Sequence, residues 1–187
     1  QFLYFIGGMH SFPARINAVG SMAFTALAIC AGVMAATTFV NETWAAPSRP
    51  TGHIVIRPTQ LINLDIGHPH APHETRPIER CVVFLDVEAD FTPAFNWNTK
   101  QVYVYAVAHY ANAKMVRNEV TLWDTILTSA DQAKLKLPRV AEYYFDDFAQ
   151  NLRGANVTVR LWYHIMSHSG FTFTRELPEA AATFVAK

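Results

Sequence analysis

The stretch INAVGSMAFTALAICAGVMAATTFV, residues 16–40, contains no Asp, Glu, Lys, Arg or His. As an α-helix rising about 1.5 Å per residue it would reach roughly 37 Å, enough to cross a hydrocarbon core of about 30 Å. Its few polar side chains lie near its ends, so it lacks the polar face of a helix on the surface of a soluble domain. The stretch is therefore predicted to be a transmembrane helix that anchors the rest of the chain.

A cleaved signal peptide is the alternative interpretation of the same stretch. Signal peptides have an apolar core of about 7–15 residues followed by a small-residue cleavage site. Residues 43–46 could be cut, but the apolar core here is much longer, which favours a retained signal anchor. The first eight residues, QFLYFIGG, are set aside from functional reasoning because Met9 could begin the native chain.

The orientation of the helix decides which compartment holds the rest of the chain. Arg15 is the only Lys, Arg, Asp or Glu before the span, which favours a short cytosolic N-terminus, residues 1–15. Asn156-Val157-Thr158 is an N-glycosylation acceptor, which has meaning only in the secretory lumen. A second acceptor begins at Asn41 but abuts the membrane, so we expect it to stay unmodified.

Composition excludes some classes of function. The chain has 15 Lys and Arg against 15 Asp and Glu, with no basic run, so it lacks the electrostatic footprint of a nucleic-acid-binding protein. Of the two cysteines, Cys30 falls in the span and Cys81 in the following domain. They cannot easily meet, and no intrachain disulfide is expected.

After the span the pattern changes to period two. Residues 41–58 are Pro-rich and are predicted to be a tether, and residues 59–187 are predicted to form one lumenal domain. Short β-branched and aromatic runs bounded by loop residues are typical of an antiparallel β-sandwich. The fold class is therefore all-β with one N-terminal transmembrane helix. A single helix after the span is predicted over residues 130–137, capped by Ser129. The predicted strands are 53–57, 81–89, 102–108, 119–126, 157–165, one beginning at Phe171 and one near 183–185.

Three ordered blocks carry a resemblance to a known family. They are FNWNTKQVYVY at 95–105, NEVTLWDTI at 118–126, and YFDD at 144–147 followed by LRG at 152–154 and the acceptor at Asn156. In content and spacing they resemble signal peptidase complex subunit 3, and the similarity extends over essentially the whole chain from about Met9.

The resemblance implies a single-pass membrane protein of the endoplasmic reticulum with a lumenal β-sandwich and no catalytic residues or cofactor of its own. It implies partnership with the catalytic serine protease subunit and the other signal peptidase subunits, within membrane lipid, with preproteins met only indirectly. Asn156 matches the family's glycosylated acceptor. The chain departs from the family in a His- and Pro-rich loop at 67–76 and in the stretch after Ser167.

Two further functions remain open on the residues alone. His68, His70 and His73, in GHPHAPH, have a spacing that could gather imidazoles on a divalent metal, as in a membrane-tethered lumenal metal-dependent enzyme. A solvated Pro-rich loop is the favoured interpretation of that stretch. A free binding module in the lumen or at the cell surface is the other alternative.

Nucleophilic catalysis finds little support in the sequence. There is no G-x-S-x-G or S-x-x-K motif. The Ser21-Met22 pair lies inside the span toward its cytosolic end, and Ser167-His168-Ser169 has the composition of a turn. No catalytic residue is therefore assigned.

The candidate carboxylates are also better explained by structure. Asp146 and Asp147 would point to opposite faces of a strand, so they are poorly placed to share a proton. Asp124 is expected to pair with backbone amides at a bend. Because both faces of several strands are apolar, outward-facing aromatics such as Tyr103 are expected to meet a partner.

Overall fold

The computed structural model describes residues 11–45, 49–57, 59–68, 71–112, 115–147 and 152–187, and for residues 45, 66–68 and 71–76 it describes the backbone only. The chain forms two compact units, one of residues 1–47 with 169–171 and one of 48–168 with 172–187. Each unit is described by itself below.

The first unit is built on one long helix, α1, at Phe12–Val40, which continues as a π-helical turn at Asn41–Ala45. Ser11 caps the helix, because its Oγ accepts a hydrogen bond from Ala14 N at 3.4 Å. Its side chains are largely exposed, and the segment is long and apolar enough to cross a membrane. The predicted apolar helix is confirmed, beginning at Phe12 rather than at residue 16.

In its described residues the second unit contains ten strands in three antiparallel sheets. Their orders are β1-β4-β7, β10-β9-β5-β6 and β2-β3-β8. The all-β prediction is confirmed. The strands are β1 Thr51–Ile56, β2 Gln60–His68, β3 Ala71–Val82, β4 Leu85–Asp90, β5 Thr99–Tyr110, β6 Asn118–Leu127, β7 Lys134–Val140, β8 Tyr144–Asp147, β9 Asn156–Ser167 and β10 Thr172–Val185.

A single apolar core joins the three sheets. Alternate residues of β5 and β9 are buried, as the period-two pattern predicts for strands with one face against a core. Phe91 packs edge-on against Tyr163 with 5.6 Å between ring centroids, which links the end of β4 to β9. Tyr110 of β5 packs against Phe145 of β8 with 5.4 Å between ring centroids, which links β5 to the β2-β3-β8 sheet. The four-stranded sheet thus turns one face inward to both smaller sheets.

The prediction of a helix over residues 130–137 is wrong. Only Ala130–Gln132 is helical, as a 3-10 turn, and Ser129 makes no side-chain capping bond. The following Lys134-Leu135-Lys136-Leu137 alternates with period two and forms β7 against β4. Both leucines pack on the core, so burial of one face outweighs helix propensity.

Two other boundaries differ from the prediction. The predicted strand 81–89 is split after Val82, because the chain there passes from the β2-β3-β8 sheet to β4 of another sheet. The stretch 67–76, predicted as a loop, lies largely in the β2–β3 hairpin, where Gly67 pairs with Thr75. Within the stretch predicted as a tether, residues 51–56 form β1 and pair with β4. The domain boundaries themselves stay a prediction.

A buried carboxylate fastens the segment before β9 to β3. Glu79 is 8% exposed, and its Oε2 accepts hydrogen bonds from Leu152 N at 2.7 Å and Arg153 N at 3.1 Å. Hydrogen bonds to a charged acceptor are about twice as strong as neutral ones.

Replacing Glu79 with Ala should lower the free energy of unfolding by about 1–3 kcal/mol, because two backbone amides lose their acceptor in a buried site. Denaturant unfolding of the full chain in detergent, followed by tryptophan fluorescence, measures the change. Glu142→Ala, which removes an exposed carboxylate, is the matched control and should change little. Equal effects of the two substitutions would show that the contacts of Glu79 are not stabilising.

Cys30 is exposed on α1, and Cys81 is buried in the core. Burial raises the pKa of the Cys81 thiol to about 11, because the thiolate would lose its hydration. The thiol is therefore protonated and shielded at neutral pH.

In a chain carrying Cys30→Ala, Cys81 should react with a maleimide at pH 7.5 only after denaturant is added. A variant with Cys30→Ala, Cys81→Ala and Thr128→Cys places the thiol at an exposed site and should react at once. Rapid labelling of native Cys81 would contradict the burial.

The raised pKa also means that the free energy of unfolding falls as the pH rises from about 9 toward 11, since the unfolded chain releases this proton first.

Candidate functional site

The outer face of the four-stranded sheet carries three aromatic side chains outside the core, Tyr103, Tyr105 and Trp162. We call its central part the aromatic face, which consists of Tyr103 and Tyr105 of β5, Asp124 and Ile126 of β6, and Trp162 and His164 of β9. Each of these side chains is partly exposed. They alternate with the core residues of the same strands, so the pleat of the sheet itself creates this surface.

The strand register sets these residues side by side in two rows. His164, Tyr103 and Ile126 form one row, and Trp162, Tyr105 and Asp124 form the next. The rings of Tyr103 and Tyr105 are stacked, with 5.0 Å between centroids and 20° between planes. Residues directly opposite each other in neighbouring strands have Cβ atoms about 5 Å apart, which makes the two rows one continuous patch.

Asp124 organises one edge of this patch. Tyr143 lies beside β6, where its N donates to Leu122 O at 3.0 Å. The Asp124 carboxylate lies near the hydroxyls of Tyr103 and Tyr143 and raises the pKa of both through hydrogen bonding and its charge. Hydrogen bonding is the first cause for Tyr143; the pKa of Tyr103 is raised first by burial and then by the Asp124 charge and hydrogen bonding. One carboxylate thus orders two tyrosines of different elements.

Three buried side-chain nitrogens of the same outer face have no hydrogen-bond partner among the residues that the structure describes. They are Nε2 of His109, Nε1 of Trp162 and Nε2 of His164. His109 uses its other nitrogen, Nδ1, which lies 3.3 Å from Glu119 Oε1. A buried polar atom without a partner costs about 1–3 kcal/mol. These three nitrogens are covered by atoms of this chain itself, so they add to the polar character of the face without being open contact points.

The outer face of the β1-β4-β7 sheet has the opposite character. Its side chains are charged and paired: Glu88 lies 3.5 Å from His53 and 3.9 Å from Lys136, and Arg57 Nε donates to Asp86 at 2.7 Å. A cavity of about 630 Å³ over this sheet is lined by the same kind of charged groups. Such a surface is well hydrated and needs no partner.

Comparison with known proteins shows which family the chain belongs to. A family model described as signal peptidase subunit matches residues 9–186. The chain belongs to the signal peptidase subunit family. Proteins named signal peptidase complex subunit 3 from Yarrowia lipolytica, Caenorhabditis elegans and Gallus gallus are 30%, 32% and 32% identical to it. The alignments cover 87%, 87% and 83% of this chain and 89%, 87% and 86% of the relatives.

These comparisons confirm the resemblance seen in the sequence. The chain is an accessory subunit of signal peptidase and assembles with other subunits of that complex. Family membership and the apolar helix together indicate a membrane protein of the endoplasmic reticulum. The comparisons support neither the metal-dependent enzyme nor the free binding module.

The structure places the two acidic residues of β8 in separate surroundings. Asp146 forms a two-pronged pair with Arg80, from Nε at 2.7 Å and from a terminal nitrogen at 2.8 Å. Asp147 is 5% exposed and accepts a hydrogen bond from Asn112 Nδ2 at 3.2 Å. As predicted, the two carboxylates do not form an acid–base pair.

The prediction for Asp124 is wrong. It lies inside β6 opposite Tyr105, not at a bend, and its carboxylate binds tyrosine hydroxyls rather than backbone amides. The sequence showed Asp124 next to Trp123 but gave no sign of Tyr143, which follows it by almost twenty positions.

The structure places the candidate serines in the helix and around the turn that follows β9. Ser21 lies within α1, and its backbone carbonyl accepts from Thr25 Oγ1 at 2.8 Å. Ser167 ends β9 and is 7% exposed, and His168 and Ser169 form the turn that follows, as predicted.

The proposed metal site lies mostly outside the described residues. His70 is outside them, and for His68 and His73 only the backbone is described, in β2 and β3. Among the side chains that the structure does describe, no cluster of three or more His, Cys, Asp or Glu is suited to a metal ion.

The predicted glycosylation acceptor lies on the same outer face as the aromatic patch but at the other end of β9. Asn156 is exposed, and Thr158 Oγ1 lies 3.1 Å from Thr183 Oγ1 of β10. Six residues separate Asn156 from Trp162, or about 20 Å along a strand. Asn156 therefore lies outside the aromatic face itself. Whether Asn156 carries one stays a prediction.

Proposed function

We propose that this subunit is non-catalytic, that its β domain lies in the lumen of the endoplasmic reticulum, and that it binds and positions the catalytic serine protease subunit for signal-peptide removal. The aromatic face carries this proposal. Tyrosine and tryptophan are the residues most enriched at the energetic centres of protein interfaces. Here Tyr103, Tyr105 and Trp162 lie side by side on one partly exposed surface.

The contrast between the two outer faces supports docking through one side of the sandwich. A freely soluble domain would be expected to carry paired, hydrated charges over all of its outer surface. In this chain the outer face of the β1-β4-β7 sheet carries such charges. The four-stranded sheet also carries ion pairs, such as Arg160–Glu176, but around the stacked tyrosines it leaves Ile126 53% exposed and Tyr143 43% exposed. Exposed apolar side chains that form a patch mark an interaction site.

The non-catalytic role is supported by where the candidate reactive groups lie. Asp146 is engaged by Arg80, Cys81 is buried with a raised pKa, and Ser21 lies in the helix. A nucleophile must lie within hydrogen-bond reach of a base to be activated. These groups stabilise the fold, which fits a subunit that serves the active site of another chain.

The lumenal placement is supported by Arg15 before the helix and by the exposed acceptor at Asn156. If it is correct, the full chain in microsomes should carry a sugar that endoglycosidase H removes, and Asn156→Gln should abolish the mobility shift. Asn41→Gln is the matched control and should leave the shift unchanged, because that acceptor abuts the apolar helix. A domain that external protease digests in sealed microsomes would contradict the orientation.

Docking through the aromatic face is tested by adding a sugar to it. Ile126→Asn creates an acceptor with Thr128 on the aromatic face, and His53→Asn with Val55→Thr creates one on the charged face. We expect the first to be glycosylated and to lose the catalytic subunit on mild-detergent purification, because a sugar there would block contact. The second should be glycosylated and keep the catalytic subunit.

The mobility shift and the purification report different things. Glycosylation of both variants confirms that both faces are lumenal, whatever happens to assembly. Recovery of the catalytic subunit with the glycosylated Ile126→Asn chain would show that the aromatic face is not the docking surface.

A further inference from the structure

Asp124 differs from three partly exposed carboxylates of other strands, each of which has an arginine as its partner. Asp86 pairs with Arg57, Asp146 with Arg80 and Glu176 with Arg160. Within the described part of the chain, Asp124 has tyrosine hydroxyls as partners but no cation within ion-pair distance. Phenol hydroxyls donate hydrogen bonds but bring no positive charge. The carboxylate therefore keeps an uncompensated negative charge on a partly apolar surface.

The surroundings of Asp124 suit a cation. Tyr103, Tyr105 and Trp162 present π-systems in the same row or the next one, and Tyr143 adds a fourth beside β6. Aromatic faces attract a cation through the quadrupole of the ring, and a carboxylate adds a direct charge. Arginine, which stacks on rings and binds carboxylates with two parallel hydrogen bonds, suits such a cluster especially well.

Family membership indicates that the cation belongs to a protein. The chain belongs to the signal peptidase subunit family and assembles with other subunits of that complex. The aromatic face spans three neighbouring strands of the four-stranded sheet, so it offers a partner subunit a surface that continues beyond Asp124.

We propose that the cluster of Tyr103, Asp124 and Tyr143 receives an Arg or Lys side chain from the lumenal part of another signal peptidase subunit. This inference rests on the proposed function and adds the chemistry that the partner must bring. The basic side chain neutralises Asp124, stacks on the tyrosines, and anchors the rest of the partner over the aromatic face. The apolar rim of Ile126 and Tyr143 excludes water around the pair, which strengthens it.

Asp124→Asn tests the charge with little change in shape. In detergent-purified complex, we expect about tenfold or more loss of the bound partner subunit, since removing one member of a desolvated charge pair weakens binding strongly. Asp131→Asn removes the same charge from an exposed 3-10 turn and is the matched control. Equal melting temperatures of the two variant chains show that the loss is not one of folding.

The dependence on salt gives a second measure. Recovery of the partner by the wild-type chain should fall as ionic strength rises, because part of the binding is electrostatic. The Asp124→Asn chain should show a flatter dependence. Identical salt profiles and equal recovery for wild type and Asp124→Asn would overturn the proposal.

Crosslinking identifies the occupant directly. A photoreactive amino acid at Ile126 in the intact complex should crosslink to another signal peptidase subunit, at a peptide that contains Arg or Lys beside the crosslinked site. The same amino acid at Val55, an exposed residue of the opposite face, should not crosslink to that subunit. Crosslinks from Ile126 to lipid only, or to a peptide without a nearby basic residue, would overturn the inference. Failure of the wild-type chain to co-purify with any signal peptidase subunit would instead overturn the proposed function.

Discussion

The alternation of side chains along β5 and β9 is the constraint on which the rest of this domain depends. Successive residues of a strand point to opposite faces, so each core position fixes the outward position next to it. On these two central strands the inward residues form the core and the outward ones form the aromatic face. A shift of one residue in register would bury the tyrosines and expose the core. Folding and partner recognition therefore depend on the same pairing.

Carboxylates perform distinct tasks in this structure according to what surrounds them. Glu79 is buried and holds two backbone amides, Asp86 binds Arg57 and the amide of Arg139, and Asp124 orders two tyrosines. The guanidinium of Arg57 and the amide of Arg139 lower the pKa of Asp86, so that contact persists except at acidic pH. Of the three, Asp124 alone lies on the aromatic face. Because all three side chains end in the same carboxylate, their different roles follow from the residues that surround each one.

Much of the fold could be predicted from the sequence, because local patterns determine it. The charge-free stretch before Val40 and the period-two runs of β5, β6 and β9 are visible in consecutive residues. The pattern failed where a short apolar run suits two structures, as at Lys134–Val140, where packing on the core decided for a strand. The period-two pattern also failed to predict β2. This strand lies at the edge of its sheet and pairs with β3, and few of its described side chains are buried, so its sequence shows little alternation of apolar and polar residues.

The candidate site was harder to predict because it depends on register between distant strands. The alternation placed Tyr103 on an outward face, but nothing local put Asp124 beside Tyr143 or His164 beside Tyr103. The partnerless nitrogens could not be foreseen either, since satisfaction of a polar atom depends on all of its neighbours. The sequence blocks shared with the family indicated the complex to which the chain belongs. The three-dimensional structure was needed to propose the aromatic face as its docking surface.

The position of Asn156 in β9 also bears on the order of events during synthesis. β9 is hydrogen-bonded to β5 on one side and to β10 on the other, and the Thr158 hydroxyl of the acceptor lies against Thr183 of β10. Once β10 has closed, an enzyme would have to reach an asparagine whose strand is held on both edges. A sugar at Asn156 would therefore be attached more readily before β10 docks than afterwards.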